Sequence, residues 1–140
     1  PSTNGDTIDY YVIEIKNSVS GWLTETTDCD GSDSSIISSL NCVIPMSTLT
    51  SAPFSLPVNT LVEVRIYAHN SYGDGETSDV NSAGAKTKTT PATMAAPVEG
   101  SDTSETQVQI QFTHLTSASD QGYSTILGYR VYYGVGAGSS

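Results

Sequence analysis

Residues 56–78 read LPVNTLVEVRIYAHNSYGDGETS, and this stretch decides the fold. From Val62 the chain alternates: Val62, Val64, Ile66 and Ala68 are apolar, and Glu63, Arg65, Tyr67 and His69 between them are polar or amphipathic. A period of two describes a strand with one face in a core and the other toward water. Asn70, Gly73 and Gly75 then break the run, as turn residues do.

The pattern Ala68-x-Asn70-x-x-Gly73-x-Gly75-x-x-Ser78 resembles the sixth strand and following loop of a fibronectin type III domain. The resemblance implies an all-β, immunoglobulin-like β-sandwich, which takes about 100 residues. A chain of 140 residues holds one with some left over, but not two. On that template Ile8–Lys16 is strand C, with Tyr11, Ile13 and Ile15 on one face, and Trp22 begins strand C′ after a short turn. Asp28–Ser39 is expected as a polar loop. Asn41–Leu56 carries Pro45 and Pro53 and is expected as an irregular or edge strand E, because proline cannot donate to a central ladder. Strand F follows the Leu56-Pro57 turn, with Val62 where the family has a tyrosine, and residues 79–90 form strand G. A stiff linker spans 91–97. Val98–Ser104 is a first strand A, and Thr106–Leu115 is strand B with Val108, Ile110 and Phe112 inward. Phe112 stands where the family has a buried Trp. Ile126–Tyr133 is a second strand C, and the glycine-rich residues 134–140 continue as a loop.

Ile8, Tyr11, Ile13 and Ile15 recur as Ile126, Tyr129, Val131 and Tyr133 at a constant offset of 118 residues, as from Tyr11 to Tyr129. That is an internal repeat sampled once. Residues 1–90 then supply strands C to G of one sandwich, and 98–140 supply strands A to C of the next. The first lacks strands A and B, so its strand E has an open edge that invites another strand. Three arrangements would fill it: a longer tandem array, strand addition from another copy into a fibre, or residues 98–115 folding back on their own chain. The last is disfavoured, because strand G ends at the pole opposite to the start of A and the eight residues Thr90–Pro97 span only about 25–28 Å. The expected strand-exchange interface is Val108, Ile110, Phe112, Tyr129, Val131 and Tyr133.

The net charge of −10, with five Lys and Arg, counts against nucleic acid and anionic membranes. No apolar run is long enough to span a membrane as a helix. No signal peptide is apparent, and a start at Pro1 without Met marks the chain as a segment of something longer. Cys29 and Cys42 are expected to pair as a disulfide in an oxidising compartment. Free thiols in a cytosolic repeat protein are the alternative. A metal centre would need more Cys or His ligands. No N-glycosylation sequon occurs, and Thr87–Thr93, TKTTPAT, has the composition of an O-glycosylated stalk.

Asp28-x-Asp30-Gly31-x-Asp33 spaces carboxylates like a calcium loop, but the glycine and the twelfth residue fall out of pattern. No nucleophile elbow or oxyanion loop accompanies His69 or His114, so no enzyme is expected. Gly73 and Gly75 precede a strand rather than a helix, which excludes a dinucleotide site. Tyr72-Gly73-Asp74-Gly75 lacks the Arg of an integrin-binding loop. No cofactor and no metal are expected. The expected function is a non-enzymatic structural repeat of an extracellular or cell-surface protein, arrayed or polymerised head-to-tail into a filament with copies of itself or neighbouring repeats. A glycan- or ligand-binding adhesion module using Trp22, Tyr67 and the Asp28 loop is the competing reading.

Overall fold

The computed structural model describes residues 5–19 and 21–134. Residues 1–4 lie outside the described residues, as do residues 135–140 of the glycine-rich stretch. The chain divides into two compact units, Pro1–Thr89 and Thr90–Ser140.

In the first unit the period-two segments become the two long strands, β1 (Tyr10–Lys16) and β3 (Val64–Asn70), which pair antiparallel. The register sets Tyr11 opposite Ala68, Ile13 opposite Ile66 and Ile15 opposite Val64. Directly opposed residues point to the same side, so the apolar halves of both patterns share one face. β2 (Trp22–Thr24) flanks β1, and β4 (Gly73–Asp74) closes a hairpin with β3. The sheet order is β2-β1-β3-β4. Asn17 sets the β1–β2 turn: its side-chain carbonyl accepts the amides of Val19 and Gly21 at 3.1 and 3.0 Å. Gly73, with φ +125°, sits in a conformation that favours glycine at the tip of the second hairpin.

Strand E does not form. Residues 41–45 are irregular, and Met46–Thr50 is a short helix, α2. Pro45 precedes that helix where a missing N–H costs nothing, and the segment lays Leu49, Phe54 and Leu56 over Ile15. Leu23, Ile44, Val62 and Val64 complete this core. Its apolar residues therefore cover the sheet without extending it. The polar loop expected over Asp28–Ser39 also contains a helix, α1 (Ser34–Ser39). Asp33 caps it by accepting the Ser35 amide at 2.7 Å.

Residues 79–90, expected as strand G, contribute only one isolated ladder pair, Leu61 with Lys86. Elsewhere scattered backbone bonds, such as Ser78 N–H to the Ile66 carbonyl at 2.9 Å, alternate with side-chain bonds in place of a regular ladder. Ser78 Oγ accepts the Ile66 amide at 3.0 Å, and the Asn81 side chain accepts from Val64 at 2.6 Å and donates to the Val62 carbonyl at 3.0 Å. Thr87, fully buried, donates to the Pro57 carbonyl at 2.6 Å and accepts from the Thr60 amide at 3.0 Å. The β3 edge is satisfied without a regular neighbour.

The second unit holds one short antiparallel pair, β5 (Val98–Glu99) and β6 (Ile110–Gln111), which fall within the segments expected as A and B. Residues 126–133, expected as a second strand C, form no strand. Phe112 packs its ring against Tyr129, with centroids 5.3 Å apart, and the Tyr129 hydroxyl accepts the Leu115 amide at 3.3 Å. Among the described residues there are thus six strands and two short helices, all pairing is antiparallel, and the class is a small all-β fold.

Candidate interaction surface

The inner face of the four-stranded sheet is sealed at one end and only partly covered at the other. Where Ile15 meets Val64, the α2 segment seals it and Ile15 is fully buried. Toward Tyr11 and Ala68 the face opens into an apolar groove of about 410 Å³. Tyr11, Ile13, Val64 and Ile66 line it from the sheet, and Ile66 is 40% exposed. Its remaining lining includes Ile36, Leu40 and the Cys29–Cys42 cystine.

The cystine closes a loop between residues 13 apart, with Cα atoms 5.4 Å apart, inside the usual range for a disulfide. Three further contacts hold this loop. Glu25, buried, accepts the amides of Thr27, Asp28 and Cys29 at 3.0, 3.0 and 2.7 Å. Gly31 returns the chain to the edge of β1, where its carbonyl accepts the Tyr11 amide at 3.0 Å. A Cβ on Gly31 would stand 1.9 Å from the Tyr11 carbonyl oxygen, so no other residue fits without moving the backbone. Thr48 Oγ1 donates to Asp28 at 2.7 Å and ties the loop to α2.

The outer face is a polar and aromatic ladder. Arg65 lies with its guanidinium 4.4 Å from the Trp22 ring and donates from Nε to Glu14 at 2.7 Å. Lys16 donates to Glu63 at 2.8 Å. Tyr10 stacks on His69 at 4.4 Å, and His69 Nδ1 lies 2.7 Å from Asp74. Trp22 and Tyr67 are both half-buried, and one face of Trp22 is already occupied by Arg65. Partial burial, then the nearby carboxylates of Asp74 and Glu14, push the Tyr67 phenol above its ordinary value.

The six residues expected to exchange strands all lie in the second unit and all stay exposed. Val108 is 70% exposed, Ile110 41% and Phe112 42%, so the inward placement expected for these three is not found. Tyr129, Val131 and Tyr133 are exposed as well, Tyr129 least because it packs against Phe112. Sequence reasoning missed Ile36, Leu40, Glu25 and Gly31. The signal for the first two was present: Asp33 ahead of Ile36, Ile37 and Leu40 is a helix-start pattern.

The acidic loop is committed to local hydrogen bonds. The amide and hydroxyl of Ser32 hold Asp30 below its ordinary value, and the hydroxyl and amide of Ser35 do the same for Asp33. Among the described residues no group of three or more His, Cys, Asp and Glu is placed to hold a metal ion. Thr87, the first residue of the Thr-rich run, is buried with its hydroxyl bonded, so any glycan-accepting stretch begins after it. No described helix is long and apolar enough to cross a membrane. The disulfide fits an oxidising, extracellular-type environment. Comparison with protein-family models, with curated proteins and with solved structures returns no match.

Proposed function

We propose that the chain is a non-enzymatic structural module of an extracellular or cell-surface protein, a fibronectin type III-like sandwich completed by strands from outside its own first unit. Copies or neighbouring repeats would join head-to-tail into an array or filament. The order β2-β1-β3 supports this reading, because C′-C-F is the order of neighbours in one sheet of such sandwiches. The observation that carries it is the half-covered inner face, where Ile66 stays 40% exposed above an apolar groove. Contiguous apolar surface of this kind marks interaction sites. An acceptor on one unit and a donor on the other make a heterologous contact, which propagates instead of closing.

Negative-stain microscopy and light scattering test this directly. Elongated particles that lengthen with concentration are expected, and a compact monomer at every concentration overturns the proposal. The adhesion reading draws on the aromatic row Trp22, Tyr67 and Tyr10 of the outer face. It requires a monodisperse protein whose glycan affinity is lost in Trp22→Ala.

A further inference from the structure

We infer that Thr90 and Thr93 are acceptors of an O-linked sugar, an N-acetylhexosamine transferred from a nucleoside diphosphate donor. This rests on the extracellular part of the reading above and is independent of assembly.

The structure divides the run Thr87–Thr93. Thr87 is fully buried and its hydroxyl donates to the Pro57 carbonyl, so a transferase has no access to it in the folded chain. Thr90 and Thr93 are exposed, and their hydroxyls bond to no described residue. The backbone around them is equally uncommitted. No helix or strand covers residues 88–97. In that span the only backbone hydrogen bond among the described residues runs from the Ala92 amide to the Asp120 carbonyl at 2.8 Å. The segment is pinned once, between the two threonines, and leaves both in water.

Pro91 sets the backbone form. Its ring fixes its own φ and keeps the residue before it out of the helical region, so Thr90 is held extended. An extended, unpaired segment enters an enzyme cleft without a ladder or helix having to open first.

Charge selects the same residues. A nucleoside diphosphate sugar is an anion, so carboxylates beside an acceptor repel it. Residues 80–98 contain no Asp or Glu and hold Lys86 and Lys88, in a chain of net charge −10. Thr26, Thr77 and Thr106 are also exposed, but each directly follows a glutamate. Thr113 and Thr116 lack such neighbours, yet no proline follows Pro97 in the chain. The transfer itself needs no oxidant or reductant. The threonine Oγ1 attacks the anomeric carbon, and the bond from that carbon to the phosphate oxygen breaks. The nucleoside diphosphate leaves with the electron pair and takes up the hydroxyl proton. The Cys29–Cys42 cystine fits the oxidising secretory compartments, and Thr-rich segments with proline are the composition of O-glycosylated stalks.

Site-resolved mass spectrometry of the chain from its native source tests the assignment. Sugar that begins with N-acetylhexosamine is expected on Thr90 and Thr93. Bare hydroxyls at both, sugar confined to other residues such as Thr89, or phosphate on Thr90 overturns it. A second measurement incubates the purified whole chain with a polypeptide N-acetylgalactosaminyltransferase and UDP-N-acetylgalactosamine. Transfer to Thr90 and Thr93 should outpace transfer to Thr113 and Thr116, and Thr87 should stay bare. Equal rates at these exposed threonines overturn the site. Thr90→Val with Thr93→Val changes two exposed, unbonded side chains and should remove the preferred transfer without disturbing the fold. Pro91→Ala should slow transfer to Thr90 several-fold, and an unchanged rate overturns the extended-backbone argument. Failed transfer to a chain with its cystine intact overturns the site alone. A native chain isolated with Cys29 and Cys42 reduced overturns the extracellular reading and leaves the transfer result standing.

Discussion

Tyr11-x-Ile13-x-Ile15 and Tyr129-x-Val131-x-Tyr133 carry the same alternating pattern and reach opposite fates. The first is a strand with Ile13 7% exposed and Ile15 fully buried. The second forms no strand and leaves Val131 57% and Tyr133 91% exposed. What separates them is β3. Six residue pairs join β1 to β3, whereas no described strand pairs with 126–133. Strand propensity is a fit to a half-buried pleated surface, and without that surface the same residues stay in water.

The sharpest break of this comparison is truncation at equivalent positions. Ile15→Ala removes a fully buried side chain from the main core and should cost about 2–5 kcal/mol. Val131→Ala, already exposed, should stay within about 0.5 kcal/mol. Urea titration followed by circular dichroism reads both, and equal losses would show that the second copy is packed as well as the first.

The next effect concerns what shapes the groove beside β1. Replacing both Cys29 and Cys42 by Ser opens a loop of 13-residue separation, for which chain entropy predicts a loss of about 3 kcal/mol. α1 buries no residue of its own, so the loop should lose protection from amide exchange before β1 and β3 do. Simultaneous loss across the whole unit would show that the cystine supports the sheet itself. Glu25→Gln follows in size. The amide keeps one acceptor but turns its NH₂ toward a site built from three backbone donors, at a cost of about 1–3 kcal/mol. A stability unchanged from the native chain would show that water replaces the carboxylate there.

The two long strands, the Trp22 strand and the cystine were legible because each rests on a local signal: period two, a turn, or two cysteines close in sequence. Three features were not, each for a different reason. In residues 41–56 the prolines correctly excluded a central strand, but the use of Leu49 and Phe54 as a cover over Ile15 depends on tertiary contacts. Along 78–90, the side chains of Ser78 and Asn81 accept β3 amides in place of backbone carbonyls, which pattern reading registers as polar residues of a strand. At 126–133 the pattern is present and the partner strand is absent. Of the candidate surface, Tyr11, Ile13, Val64 and Ile66 were placed on one face by alternation, while Ile36 and Leu40 lay hidden in a Ser-rich loop.

The smallest effect separates the groove's floor from its wall by pH. Asp33 caps α1, and the hydroxyl and amide of Ser35 hold its carboxyl below the ordinary value of 3.8. A carboxyl whose value is lower in the folded state stabilises that state above its unfolded value. The contribution is lost as pH falls through the folded one. Acid below about pH 4 should therefore loosen α1 while the β1–β3 ladder persists, seen as faster exchange of the Ile37 and Leu40 amides, which donate to the Asp33 and Ile36 carbonyls. Asn caps helices about as well as Asp and does not titrate, so Asp33→Asn should keep α1 at neutral pH and blunt its acid response. Asp30 is likewise held below its ordinary value by the amide and hydroxyl of Ser32. An undiminished acid response in Asp33→Asn would move the effect to Asp30, whose hydrogen bonds lie one turn earlier in the same loop.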